Sequence, residues 1–314
     1  MDILIEKPYE GVTVLQYVKG NLSISAAHLK HLKFSEGGIR VNGKHVTVRY
    51  ILKRGDILSL ATEDRVEDCH IEPRDLPISI VFENDECIVP SKPSNMPTHP
   101  SCDHYDDTVA NALAYRYSKE DTPFVFRPVN RLDRNTSGLL LIARNRLAAG
   151  RLSRAMVGGE IKKAYVAILC GALPADEGVI ETYIRRTDRS IIVRENCFEG
   201  EGGDYALTRY KVLLEKGGFS AVAASPVTGR THQLRVHFAG LSAPILGDDM
   251  YGEPSELIDR HALHSAVLRF PDSKGTEAEV RDGIPEDMER VIRLLFGENT
   301  DMESLIEGCA ALLN

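Results

Sequence analysis

The chain has 314 residues, 43% of them hydrophobic and 27% charged, and its formal net charge is −8. Because a typical domain has ~100 to 200 residues, this length predicts two domains. No apolar run approaches the ~18 residues that a membrane span needs, and the N-terminus lacks the basic start and apolar core of a secretory signal. We therefore expect a globular cytoplasmic protein with no membrane partner.

The charge is distributed unevenly along the chain. Residues 11–55 carry eight Lys or Arg side chains and one acid, and residues 127–163 carry nine and two, so each segment has a net charge of +7. Residues 272–314 carry eleven acids and four bases, a net charge of −7. Two basic segments and an acidic tail are typical of a phosphate-binding protein. The alternative is an ordinary charged helix surface.

Neither a structural metal site nor a disulfide framework is expected. The six cysteines include no CxxC pair, which argues against both in a chain of this length. The histidine pairs His99 with His104 and His261 with His264 lack an acidic or thiol partner at the spacing of metal ligands. We predict reduced cysteines and no bound metal.

The front of the chain predicts a small α/β module. Its predicted elements are helices at 13–20 and 25–34 and strands at 37–43 and 55–60, the first strand entering an Asn-Gly turn. The acidic stretch 63–77 contains prolines and is predicted to be a linker. We place the domain boundary near residue 75, which predicts domains at 1–75 and 76–314.

The rest of the chain predicts an α+β domain. The predicted strands are a hairpin at 78–93, single strands at 124–129, 137–144 and 162–171, and a second hairpin at 206–226. The predicted helices are 145–158 capped by Asn145, 231–241 capped by Thr231, one after Pro285, and one after a Thr300–Glu303 capping box. Short turns between strands favour a mixed, mainly antiparallel sheet with helices packed on it.

One polar turn contains candidate functional residues. The segment RPVNRLDRNTSGLLLIARNR, residues 127–146, places Asp133 between Arg131 and Arg134, directly before a buried-looking run. In a purely structural interpretation Asp133 forms the turn, because Asp side chains bond to nearby backbone groups. Other blocks of the sequence favour a functional interpretation.

This segment resembles the signature turn of the RluA family of pseudouridine synthases. Four further blocks match that family in the same order: KPSNMPTHP at 92–100, KKAY at 162–165, SPVTGRTHQLRVHFAGLSAPILGDDMYG at 225–252 and RHALHSAVLRF at 260–270. The resemblance covers residues 78–295. The basic front module is similar to the S-four-like (alpha-L) RNA-binding module that often precedes this catalytic domain.

Three positions depart from the family pattern. Asn130 stands where histidine is usual, Asn95 stands where glycine is common, and FPDS at 270–273 replaces a pattern that ends in His-Pro. Asn95 would suit a left-handed backbone position, since Asn tolerates one best after Gly. The effect of Asn130 stays open.

The resemblance implies a uridine isomerase that acts on structured RNA without a cofactor. Asp133 would be its catalytic carboxylate, and Arg235 would keep that carboxylate ionised where water is excluded. Tyr165 would stack on the uracil and place its hydroxyl for proton transfer. The structural alternatives are a surface arginine and a core tyrosine. Residue types leave open whether Asp133 attacks the base, attacks the sugar or removes a proton.

Further residues are predicted to bind RNA. A flipped uridine leaves a gap that Arg131 would fill, or Arg131 would instead clamp a phosphate. Thr136, Ser137 and Gly138 are expected to shape the turn, with side chains small enough to let RNA backbone approach closely. The other predicted RNA contacts are Arg134, Arg230, Lys30, Lys33, Lys44 and Arg54, while His232 and Gln233 are expected to hold their loop together or to contact phosphate.

Two other functions compete with this interpretation. Glycoside hydrolysis would need a second carboxylate, for which only Asp248 is available. The other competitor is a non-catalytic RNA-binding or ribosome-assembly protein with a relic site. The sequence does not determine the target uridine, although ribosomal RNA is favoured over transfer RNA, and a monomer is expected.

Overall fold

Two separate sheets organise the chain in a computed structural model that describes residues 2–22, 24, 26–34, 37–61, 70–120, 123–188, 190–273 and 275–314. Part of the predicted linker, residues 63–69, lies outside the described residues. None of the described helices is long and apolar enough to cross a membrane.

The front sheet has four short strands and two helices. Its elements are β1 (Asp2–Leu4), α1 (Val14–Gly20), α2 (Ala26–Phe34), β2 (Ile39–Val41), β3 (Lys44–His45) and β4 (Ile57–Leu60), with sheet order β1-β4-β2-β3. Thr13 caps α1 in a capping box with Gln16. Asn42 and Gly43 both have positive φ, as a tight hairpin turn between β2 and β3 requires. The predicted helices and strands of this segment are confirmed.

The second sheet contains twelve strands. They are β5 (Ser79–Glu83), β6 (Cys87–Lys92), β7 (Arg127–Pro128), β8 (Ser137–Leu139), β9 (Ile142–Ala143), β10 (Lys162–Cys170), β11 (Glu177–Arg186), β12 (Arg194–Cys197), β13 (Asp204–Lys216), β14 (Phe219–Pro226), β15 (Leu263–Pro271) and β16 (Glu277–Arg281). The main path runs β12-β11-β13-β14-β10-β15-β8-β6-β9-β7, with β16 beside β15 and β5 beside β6. Strands β8 and β15 are parallel, and the other described pairs are antiparallel. The predicted mixed, mainly antiparallel α+β fold is confirmed.

Five helices pack against this sheet. They are α3 (Val109–Lys119), α4 (Arg146–Val157), α5 (Gln233–Gly240), α6 (Glu286–Phe296) and α7 (Met302–Ala311). Asn145 caps α4 as predicted, because its side chain accepts from the backbone N–H of Ala148 at 2.9 Å. Two predicted caps are wrong. His232 rather than Thr231 precedes α5, and Asp301 rather than Thr300 caps α7.

The apolar run after Asp133 is buried on both faces of the sheet. Leu140 and Ile142 belong to the large core shared with α3, α6 and α7, whereas Leu139 and Leu141 belong to a second core under α4. Successive side chains of an extended chain point to opposite faces, so a continuous apolar run fits a strand covered on both sides. The run therefore anchors the Asp133 turn in the middle of the domain.

Several elements differ from the sequence-based expectation. The predicted strand 124–129 is reduced to β7, and the predicted strand 137–144 is split into β8 and β9. Helix α3 and strands β11, β12, β15 and β16 were not predicted. Strand β11 alternates exposed and buried positions irregularly, so it has no clear period-2 pattern.

Candidate active site

The turn that carries Asp133 is fixed from one side by the loop after β6. Lys92 is fully buried, and its Nζ donates to the backbone oxygens of Pro93, Met96 and Arg134 at 2.9 Å each. Thr98 Oγ1 donates to the backbone oxygen of Leu132 at 3.1 Å. Burial, with a smaller contribution from the charge of Arg260, lowers the pKa of Lys92 to about 7. The loop thus holds the Asp133 turn through hydrogen bonds to its backbone oxygens.

The other side of the turn is fixed by the segment that leads into β15. Thr136 Oγ1 lies 2.8 Å from His261 Nε2, and Ser137 Oγ lies 3.0 Å from His264 Nδ1. Gly138 has φ of 107°, and a Cβ placed on it would lie 2.3 Å from the backbone oxygen of Ser265. The expectation that these small residues admit RNA backbone is therefore wrong for Ser137 and Gly138, because both face the protein interior.

The Asp133 carboxylate lies beside the Arg235 guanidinium. Asp133 Oδ2 is 3.6 Å from Arg235 Nη1, and the Asp133 side chain keeps 30% of its surface exposed. Arg235 comes from the buried face of α5 and is itself 5% exposed. The resemblance paired Asp133 with Arg235, which are 102 positions apart in the sequence, and the fold brings them into one site.

A second carboxylate completes this arrangement. Asp248 is fully buried and accepts from Arg235 Nε and Nη2 at 2.7 Å each. Burial disfavours the charged form of Arg235, but the hydrogen bonds to Asp248 and the charge of Asp133 outweigh it and hold the pKa of the guanidinium above its ordinary value. Because Asp248 is committed to this pair, it is not placed to act as the second carboxylate of a glycoside hydrolase.

His232 closes the site on the side of α5. It has a left-handed backbone with φ of 58°, and its Nε2 lies 3.9 Å from Asp133 Oδ2. Its Nδ1 lies 2.8 Å from the hydroxyl of Tyr251, which accepts from the backbone N–H of Arg194 at 2.9 Å. The hydroxyl can donate to Nδ1 or accept from it, so this contact fixes the position of the ring with either tautomer of His232. Burial lowers the pKa of His232, and the charge of Asp133 opposes the shift.

Tyr165 lies on β10 at a register shift of the sheet, between Ala224 and Ser265 of the neighbouring strands. Burial, with a contribution from the charge of Asp133, raises the pKa of its hydroxyl well above the ordinary value. The hydroxyl is therefore protonated near neutral pH. It can donate a hydrogen bond, and little of it is present as the phenolate that could act as an anionic base.

Two adjoining cavities meet at Asp133. The smaller cavity, of about 100 Å³, is lined by Asp133, Tyr165, Arg235 and His232, among others. The wider one, of about 760 Å³, is lined by Asp133, Asn130, Arg131, Arg134 and Thr98, among others. The small pocket adjoins a basic cleft, so it can bind one ring while a larger polyanion stays in the cleft.

The predicted RNA-binding residues fall into two groups. Arg131, Arg134 and Arg230 have exposed side chains and line the wider cavity. Arg134 donates through Nε to Asn95 Oδ1 at 2.8 Å, and Nη2 donates to the same oxygen. The second group lies in the front segment of the chain, where its side chains are exposed and line neither cavity. It consists of Lys30, Lys33, Lys44 and Arg54.

Asn130 takes a structural position at the edge of the site. Its Oδ1 accepts from the backbone N–H of Leu141 at 2.8 Å, while its Nδ2 has no partner among the described residues. The amide thus holds the Asp133 turn against the buried strand. In the part of the chain that the structure describes, no group of three or more His, Cys, Asp or Glu residues could hold a metal ion.

The residues that sequence reasoning missed are the partners of the predicted ones. Lys92 and Tyr251 carried no assigned role in the site, and Asp248 was considered only as the second carboxylate of a glycoside hydrolase. His232 was expected only to hold its loop or bind phosphate. All of them lie in the blocks 92–100 and 225–252. Their position in the blocks that match the family was the signal that could have identified these residues. Residue type alone does not show which neighbour a side chain contacts.

Comparisons with known proteins identify the same region. The sequence profile of the family described as RNA pseudouridylate synthase matches residues 86–240. A relative from Bacillus subtilis (strain 168), named as an uncharacterized RNA pseudouridine synthase, is 35% identical over 291 residues, which are 92% of this chain and 100% of the relative.

Two further comparisons extend this similarity. The ribosomal large subunit pseudouridine synthase D of Borreliella burgdorferi is 35% identical over 271 residues, with 83% of this chain and 82% of that protein covered. The solved structure of human RNA pseudouridylate synthase domain containing 1 superposes with a TM-score of 0.60 at 30% identity, covering 77% of this chain and 98% of the human one.

Proposed function

The chain belongs to the RluA family of RNA pseudouridine synthases, and we propose that it isomerises specific uridines of structured ribosomal RNA with Asp133 as the catalytic carboxylate. The observation that carries this proposal is the 3.6 Å approach of Arg235 Nη1 to Asp133 Oδ2 at the wall of a small cavity. Ribosomal RNA is favoured because the similar protein of Borreliella burgdorferi is named for the large ribosomal subunit.

The reaction exchanges one bond to the ribose for another. The bond between ring nitrogen N1 and ribose C1′ breaks, the uracil turns and carbon C5 bonds to C1′. The proton of C5 is then lost and N1 takes up a proton, so that substrate and product have the same composition. Asp133 acts at the ribose or at the base, and it must be ionised to do so. Arg235 places a positive charge 3.6 Å from Asp133 Oδ2, while Asp248 fixes the orientation of its guanidinium.

Tyr165 serves the flipped base. Its ring forms one wall of the small cavity, where it stacks on the uracil. Its protonated hydroxyl exchanges hydrogen bonds or a proton with the turning ring. The base has to leave its stack to enter this cavity, at a cost of about a few kcal/mol.

Basic residues hold the rest of the RNA. Arg131 lies at the mouth of both cavities and fills the gap left by the flipped base or contacts the adjacent phosphate. Residues 1–75 form a separate RNA-binding module of the S-four-like type, in which Lys30, Lys33, Lys44 and Arg54 contact phosphates, and residues 76–314 form the catalytic domain. The protein acts as a monomer in the cytoplasm.

The proposal is tested with bulk cellular RNA that carries tritium at C5 of uracil. The wild-type protein should release tritium to water, and Asp133→Asn should reduce release by at least about a thousandfold, in the range found when a catalytic group is removed. Asp249→Asn, which changes an exposed acid near the same site, is the matched control and should retain activity.

RNA binding without tritium release by the wild-type protein would instead support the relic RNA-binding protein. If release is observed, pseudouridine mapping of RNA from cells with and without the gene identifies the substrate. Loss of a pseudouridine in transfer RNA alone would overturn the choice of ribosomal RNA while leaving the activity intact.

A further inference from the structure

Lys163 is a buried cation that the proposed chemistry does not use. It lies on β10 opposite Leu268 of β15, and only 7% of its surface is exposed. The preceding residue, Lys162, is exposed and donates through Nζ to the backbone oxygen of Leu313 at 2.8 Å. Two adjacent lysines of one strand thus face opposite environments, as alternation along a strand requires.

The Lys163 ammonium lacks a protein partner. Within the described parts of the chain, its Nζ makes no hydrogen bond or ion pair, and burial alone lowers its pKa. Lys92, the other buried lysine of the site, donates to three backbone oxygens. Since a buried charge is costly unless it is paired, the contrast indicates that the partner of Lys163 comes from outside the protein.

The position of Lys163 specifies where that partner would bind. Lys163 lines both cavities. One is the small cavity, which Tyr165 and Arg235 also line, and the other is the wide basic cleft. The residues common to both cavities are Arg131, Leu132, Asp133, Lys163, Gly229 and Arg230. A nucleotide whose base occupies the small cavity has its sugar–phosphate backbone in the cleft, so a phosphate passes this junction.

We propose that Lys163 binds an RNA phosphodiester next to the flipped uridine, at the junction of the two cavities, and thereby positions the ribose against Asp133. The proposal rests on the proposed function. Burial in the free protein has already removed most water from the Lys163 amine. A phosphate that binds there is therefore attracted more strongly than by a fully hydrated cation. Lysine is suited to this task as a compact point charge. The phosphate in turn moves the pKa of the amine back towards its ordinary value.

The test compares three variants on bulk RNA tritiated at C5 of uracil. Lys163→Met removes the charge and keeps a long apolar side chain, Lys163→Arg keeps the charge, and Lys162→Met removes the neighbouring exposed charge as a matched control. We expect Lys163→Met to lower kcat/KM at least about tenfold, mainly through KM. The slope of log kcat/KM against log salt concentration should fall by about 0.7 to 0.9, the loss of one phosphate contact.

The unfolding temperature of the variants distinguishes phosphate binding by Lys163 from a purely structural role. Lys163→Met should unfold at a higher temperature than the wild type, because it removes a buried unpaired charge. Lys163→Arg should retain most of the salt slope, and Lys162→Met should leave slope and kcat/KM unchanged.

The proposal is overturned if Lys163→Met lowers kcat with KM and salt slope unchanged, or if it loses both stability and activity while Lys163→Arg restores neither. Both results require an active wild-type protein. Absence of tritium release from the wild type would be a failure of the proposed function, which this comparison identifies separately.

Discussion

Arg235 is held by Asp248 and only approached by Asp133: its Nε and Nη2 donate to Asp248 at 2.7 Å each, whereas its Nη1 lies 3.6 Å from Asp133 Oδ2. The bidentate pair fixes the plane of the guanidinium and leaves one nitrogen directed at Asp133. The proposed catalytic carboxylate thus lies beside a cation whose shortest hydrogen bonds go to another residue, so its own oxygens are left free for the substrate.

Removal of Asp248 should therefore damage both folding and activity. Asp248→Ala leaves the Arg235 charge buried without its partner, which costs about 3 to 5 kcal/mol of unfolding free energy. Tritium release should fall at the same time, because the guanidinium is no longer oriented. Urea unfolding measures the first effect, with Asp249→Ala as the exposed neighbouring control. A loss below about 1 kcal/mol would show that the pair contributes little.

We expect Asn95 to affect kcat/KM by holding the Arg134 guanidinium in place. Asn95 has φ of 59° and accepts from the Arg134 guanidinium at the rim of the wide cleft. Asn95→Gly keeps the backbone conformation and removes only the acceptor, so we expect a threefold to tenfold lower kcat/KM, as for an exposed hydrogen bond worth about 1 kcal/mol. The double variant with Arg134→Ala should be no worse than Arg134→Ala alone. Additive effects would mean that the two residues act independently.

Much of this architecture could be predicted because local signals agree with the fold. The Asn145 cap and the glycine turn at 217–218 each specify their own element, and the apolar run at 139–142 specifies a buried segment. Ordered sequence blocks also brought Asp133, Tyr165 and Arg235 into one site. These predictions depended on nearest neighbours along the chain or on a known family arrangement.

The remaining features depend on contacts between distant residues. The wrong Thr231 cap illustrates this: the residue before α5 is His232, which has a left-handed backbone and whose ring contacts Tyr251, 19 residues away. Lys163 and Lys162 have the same chemistry, and only the register of β10 against β15 decides which one is buried. Tertiary contacts of this kind override local propensity.

Gly138 should be irreplaceable for steric reasons. Its φ of 107° and the 2.3 Å distance from an added Cβ to the Ser265 backbone oxygen predict that Gly138→Ala costs at least about 2 kcal/mol and displaces the Asp133 turn. Gly283→Ala is the control, since no atom lies within 4 Å of its added Cβ. Chemical unfolding and tritium release report the two effects. Equal stability of the two variants would exclude the steric account.

Buried neutral histidines should make the protein sensitive to acid. His237 is fully buried between Thr208 and Thr182, and burial lowers its pKa from 6.5 to about 4. As pH falls from about 6.5 to about 4, His237 binds a proton in the unfolded chain but not in the folded protein. The free energy of unfolding therefore falls by up to about 1.4 kcal/mol per pH unit. His237→Gln should lessen this slope by up to one proton in urea unfolding between these pH values, whereas His45→Gln, at an exposed site, should leave it unchanged. An unaltered slope in His237→Gln would mean that the imidazole is protonated in the folded protein as readily as in the unfolded chain.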